Sequence, residues 1–216
     1  LVFQKSGING LILAKVIFAI LLFLAIFKHS KNLGAGTFLA SVAAYSTILI
    51  GISRFVIRPQ LFSYLFLAIT ILLIYGYTYK NWKSWCICIL PPLFIIWDFM
   101  HGAIFGYVFV VSFLAGEFAS QIIRHFTQPE TRSARHLRRI VTLTILFSLI
   151  FVSALLKPNG FELYTNLFSI VGDNYIFEMT REFTPTPTEG FIPFWILLFL
   201  IPIFWALDRK NVNPSE

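Results

Sequence analysis

Residues 90–109 read Leu-Pro-Pro-Leu-Phe-Ile-Ile-Trp-Asp-Phe-Met-His-Gly-Ala-Ile-Phe-Gly-Tyr-Val-Phe. Two apolar runs meet there at a short centre, Trp97-Asp-Phe-Met-His-Gly102, that carries an acid and an imidazole three residues apart. Ionisable groups between hydrocarbon-compatible stretches are costly, and they face a protein interior or a wet cavity where they occur. The reading of these twenty residues as two membrane spans joined by a polar corner sets the fold class of the whole chain.

The remainder agrees with it. Of 216 residues, 57% are hydrophobic and only 12% charged, about half the charge of a soluble domain, roughly 25%. Mean hydropathy is +0.78. A bilayer core needs about 20 apolar residues as helix, with about 17–25 tolerated. Seven stretches approach this: 8–27 (interrupted by Lys15, whose stem can snorkel), 33–53, 61–78, 85–97, 102–120, 140–156 and 191–207. The fourth is short and carries Pro91-Pro92, so a kinked or partly inserted helix is predicted. The second is rich in Gly34, Gly36, Ala40, Ala43 and Ala44, which suits close helix packing. The predicted fold is an all-α integral membrane protein, one transmembrane domain over residues 1–216, expected to be part of a longer chain.

Charge sorting gives sidedness. Alternate connections collect Lys28, Lys31, Lys80, Lys83, Arg124, Arg132, Arg135, Arg138, Arg139, Arg209 and Lys210 on one side, eleven in all, against Lys5, Arg54, Arg58, Lys157 and Arg181 on the other. Positive-inside asymmetry then predicts a cytoplasmic 121–139 loop and C-terminus, provided segment four crosses completely. The net charge of +7 reports topology, and nucleic acid is excluded as a partner because the cations do not share one soluble face. The outside set contains Arg54, Arg58, Asp98, His101 and most of the acids. Its longest loop, 157–190, opens on the turn Lys157-Pro-Asn-Gly160. An apolar-polar stretch, Phe161–Val171, follows and reads as an interfacial helix. Cys86 and Cys88 lack the further thiols of a metal site and are expected to be buried bystanders.

Three groupings carry chemistry. Arg58-Pro59 stands where the third helix should begin; proline suits a first turn, and an arginine there offers its planar fork to phosphate or carboxylate. Asp98 and His101, at i and i+3, fit an acid–base pair, two ligands of a divalent ion completed by Asp173, Glu178 or Glu182, or a hydrogen-bonded staple of the helical corner. Glu178, Arg181 and Glu182 are at helix-neighbour spacing, as a solvated ion-paired patch or as part of a binding vestibule.

The ordered strings RPQLFSYL (58–65), LPPLFIIWDFMHGAIFGYVF (90–109) and KPNGFELY (157–164) resemble a group of bacterial polytopic proteins of the glycosyltransferase C superfamily, over roughly residues 1–185. There the corresponding stretches read Arg-Pro-x-Leu-Phe-Ser, Trp-x-Asn-x-His-Gly and Asn-Pro-x-Gly. Arg58 and Pro59, Trp97, His101 and Gly102, and Pro158 and Gly160 match; the asparagine of the second motif is absent and Lys157 replaces that of the third. The resemblance implies a bacterial inner-membrane enzyme moving a sugar from a polyprenyl-phosphate donor to an extracytoplasmic glycan or lipid. Taken with the charge sorting, the resemblance puts Asp98 or His101 forward as base or orienter of the acceptor hydroxyl and Arg58, with Arg54, as the donor-phosphate site. Trp97, Lys157, Glu178 and Arg181 complete the expected substrate-binding set, and a divalent metal ion is an open cofactor. Such enzymes carry an essential acid in their first outside loop, and no acid precedes Asp98 here. The competing expectations are a transporter or flippase-like protein for a lipid-linked anion and a non-catalytic membrane partner. Transport requires polar groups through the depth of the bilayer, whereas the outside set places them at one face.

Overall fold

The computed structural model describes residues 2–51, 60–100, 103–127 and 134–154, together with 165, 192, 195–196 and 198–200. Among the described residues the regular structure is helical and no strand occurs. Six helices follow in order: α1 (Val2–Asn32), α2 (Thr37–Gly51), α3 (Gln60–Tyr79), α4 (Leu90–Met100), α5 (Ile104–Thr127) and α6 (Ala134–Ala154), with a 3₁₀ segment over Ser84–Ile89 leading into α4. Of the expected seventh span only 192, 195–196 and 198–200 are described, and of the interfacial helix only 165, all of them helical; the rest of both lies outside the described residues.

Among the described residues three stretches are long and apolar enough to cross a membrane: Gly7–Asn32, Leu61–Tyr79 and Ile104–Ile122. Their outward faces call for hydrocarbon. Ile12, Leu13, Val16, Ile17, Ile20, Leu21 and Leu24 are all exposed on α1, far more contiguous apolar surface than a soluble monomer presents. Hydroxyl groups on the helices fold back onto their own backbone, as lipid surroundings demand. Thr70 donates to the Phe66 carbonyl at 2.8 Å, Thr144 to Ile140 at 2.9 Å and Ser148 to Thr144 at 2.9 Å.

Local chemistry sets the helix ends. α1 breaks at Gly7, whose φ of 57° and ψ of −151° are non-helical. It stops at a left-handed Gly34 (φ 97°), where Ala35 N–H donates to the Ser30 carbonyl and Gly34 N–H to that of Lys31. These are the two bonds of a Schellman motif. α2 then returns along α1, and Ala40 and Ala44 of its small-residue face are wholly buried. Two residues past the end of α3, Asn81 is also left-handed at φ 53°; the chain doubles back so closely that a Cβ on Gly76 would lie 2.5 Å from the Trp82 indole.

Pro91 and Pro92 occupy the first turn of α4, where a missing N–H leaves no bond unmade. The preceding six residues are wound as 3₁₀. That winding rises about 2.0 Å per residue against 1.5 Å for α. Ser84–Met100, only 17 residues, thus gains a length of about 28 Å, near the thickness of a bilayer core. It runs antiparallel to α3, bringing Trp97 back to Ser63 near the α3 start. Cys86 is half-buried and Cys88 exposed, so only one of the expected buried bystanders lies even partly inside.

Most of the expected 121–139 loop is helix: α5 continues to Thr127 and α6 begins at Ala134. Two cores result. The larger joins the 3₁₀ segment and α3 to α6 around Ile74, Ile87, Leu90, Phe94, Trp97, Val110, Leu143 and Ile150; the smaller joins α1 to α3 through Leu22, Leu61 and Leu65.

Candidate functional site

The polar corner forms where α3 starts, α4 ends and α5 begins. Trp97 sits in the last turns of α4 with no exposed surface. Its indole Nε1 donates to Ser63 Oγ of α3 at 2.8 Å, a buried bond between residues 34 apart in sequence. Its ring has Phe94 at 5.3 Å and Phe66 at 5.9 Å, and Phe94 in turn meets Tyr107 edge-on at 5.2 Å. The indole fits because Gly106 of α5 presents bare backbone. A Cβ there would stand 2.6 Å from Trp97 Cζ3 and 2.8 Å from the Phe94 ring.

Asp98, next in sequence, faces the start of α5 and is 2% exposed. Its Oδ1 accepts the Ala103 backbone N–H at 2.9 Å, and its Oδ2 accepts the Tyr107 hydroxyl. Ala103 in turn accepts the first helical bond of α5, from Tyr107 N–H at 2.9 Å. A carboxylate of one helix thus satisfies an orphan amide at the next helix's N-terminus, where the helix dipole also favours negative charge. These two bonds are what a staple of the corner requires.

Several expected site residues lie outside the described residues: Arg54, Arg58, His101, Lys157, Glu178 and Arg181. Trp97, expected to touch substrate, is wholly buried with its N–H edge used by Ser63. Among the described residues no three of His, Cys, Asp or Glu gather as a metal site needs.

Two features escaped the sequence reading. Gly106, rather than Gly102, is the described glycine that lets α4 and α5 close on one another. The other is Glu117, on α5 at the opposite end of the bundle. It is 7% exposed and accepts the Tyr79 hydroxyl at 2.7 Å. Polar groups therefore do not stop at one face. Even so, Tyr107 and Glu117 are ten residues apart on α5, about 15 Å along the axis, and Val110, Phe113 and Leu114 of that interval belong to the apolar core. Comparison with protein-family models, curated proteins and solved structures returns no match for this chain.

Proposed function

We propose that the chain is a membrane glycosyltransferase of the glycosyltransferase C type, or a portion of one, whose site for a polyprenyl-phosphate-linked sugar lies at the corner of α3, α4 and α5. The supporting observation is the buried Trp97–Ser63 bond. It ties together RPQLFSYL and WDFMHG, two of the three strings whose order carries the family resemblance. Arg58 stands two positions before the first residue of α3, and His101 one position after the last residue of α4.

In this reading Arg58, with Arg54, holds the donor phosphate and stabilises the negative charge that grows on the leaving group. His101 takes the acceptor hydroxyl's proton. Asp98 acts through the corner, fixing the start of α5 against the end of α4. Lys157, Glu178 and Arg181 belong to the acceptor side, and any divalent ion would draw further ligands from Asp173, Glu178 or Glu182. The finer topology is part of the same proposal: seven spans, the site on the extracytoplasmic face of a bacterial inner membrane, and the 121–139 region and C-terminus in the cytoplasm. Transport of a lipid-linked anion fits less well, because Phe94, Val110 and Leu143 fill the interior between Asp98 and Glu117.

Purified full-length protein should bind polyprenyl phosphate. Arg58→Ala should weaken that binding about 10–100-fold, the worth of a charged hydrogen bond of about 1.5–3 kcal/mol. Unchanged affinity would remove the donor role.

A further inference from the structure

Glu117 lies five positions before the end of the apolar stretch that finishes at Ile122, about 8 Å along the helix and so at headgroup depth. Tyr79 donates to its Oε1 at 2.7 Å, and nothing else among the described residues pairs with the carboxylate. Tyr79 packs on Tyr75 at 4.9 Å, and His29 meets Tyr75 edge-on at 5.1 Å. The buried Nδ1 of that histidine also lacks a partner among the described residues. Arg139 lies within electrostatic range of Tyr79, and its sequence neighbour Arg138 and the residue after Tyr79, Lys80, are exposed.

A carboxylate with one neutral hydrogen bond beside hydrocarbon needs a positive partner. A divalent metal requires about six oxygen ligands, and the described residues gather no such set. A primary ammonium needs far less: a carboxylate oxygen and the faces of neighbouring aromatic rings. The basic rim asks for the opposite charge a few ångströms away. A purely anionic headgroup would answer the rim but set like charge against Glu117. A zwitterion of ammonium and phosphate answers both.

We propose that Glu117, Tyr79 and Tyr75, rimmed by Arg139, Arg138 and Lys80, form a binding site for the headgroup of an ethanolamine phospholipid. The ammonium sits on Glu117 and the tyrosines, and the phosphate on the rim. The acyl chains lie along outward-facing Phe118 and Ile122, both exposed. This site is independent of the corner at the other end of the bundle.

The full chain in detergent, offered equal phosphatidylethanolamine, phosphatidylglycerol and phosphatidylcholine, should retain the ethanolamine lipid at least about five-fold over the others in native mass spectrometry. Glu117→Gln, nearly isosteric, should abolish that preference, and Arg139→Gln should lower retention of the ethanolamine lipid. Equal retention of the three lipids by the unaltered protein, or a preference that survives Glu117→Gln, overturns the proposal. Should Glu117→Gln fail to fold, Tyr79→Phe serves in its place, with a weakened preference expected. Displacement by soluble O-phosphoethanolamine at the lipid's concentration would assign the site to a soluble amine phosphate and overturn the lipid reading.

Discussion

Trp97→Ala is expected to destabilise the protein by about 2–4 kcal/mol, the largest single effect among the described residues. In a water-soluble core a buried Trp→Ala change costs about 3–5 kcal/mol. Part of that figure is transfer from water, which is missing when the unfolded reference is itself in lipid. The packing loss remains. The indole touches Phe94 and Phe66, lies over bare backbone at Gly106 and leaves Ser63 Oγ without its donor when removed. The α5 surface beneath it, bare backbone at Gly106, offers no side chain to fill the space. Thermal unfolding in detergent measures the effect. Trp85→Ala is the control: that residue is 63% exposed and should unfold almost as the unaltered protein does. Trp97→Phe combined with Ser63→Ala in a double-mutant cycle should isolate a coupling of about 0.6–1.7 kcal/mol for the interhelical bond. Equal midpoints for Trp97→Ala and Trp85→Ala would contradict the packing described.

The second large effect belongs to Asp98. Alanine there removes the acceptor of both the Ala103 N–H and the Tyr107 hydroxyl, both buried. Unsatisfied buried groups cost about 1–3 kcal/mol each in soluble proteins, while interhelical bonds in membranes average about 0.6 kcal/mol. About 2–3 kcal/mol is expected for Asp98→Ala. Asparagine should cost about 1 kcal/mol or less, since its carbonyl still accepts from Ala103 and the tyrosine hydroxyl can turn to accept from the amide. The pair separates two roles. If Asp98 staples the corner, Asp98→Asn keeps the fold and polyprenyl-phosphate binding while Asp98→Ala loses both. A sugar-transfer assay in which Asp98→Asn is well folded yet inactive would instead return Asp98 to the chemistry.

The three long spans were legible because lipid-facing helices are apolar on nearly every side, and a run of about 20 such residues has few other uses. The corner was legible in kind: an acid and a histidine beside a glycine marked a junction. What bound it together was not. A serine within an apolar helix ordinarily bonds its own backbone, as Ser148 does, so nothing local announced that Ser63 would wait for an indole 34 positions away. Gly106 looked like any small residue of a span, because its meaning depends on Trp97 packing across from it. The place of the proline pair in the first turn of α4 was not legible, since the sequence does not show where a 3₁₀ turn hands over to an α-helix. Glu117 sits near the end of an apolar run before a basic stretch, where an acid reads as interfacial. Its burial and its bond to Tyr79, 38 residues earlier, come only from the way α3 and α5 pair.

Light-activated crosslinking with a diazirine-bearing polyprenyl phosphate, followed by peptide mapping of the full-length protein in membranes, tests the central claim most directly. Label concentrated in the peptides spanning Arg54–Ser63 and Trp97–Tyr107, and competed by unlabelled polyprenyl phosphate, is the expected result. Label at the Tyr79–Glu117 end, or light-dependent labelling that competitor does not reduce, would contradict a lipid-phosphate site at the Trp97–Ser63 corner.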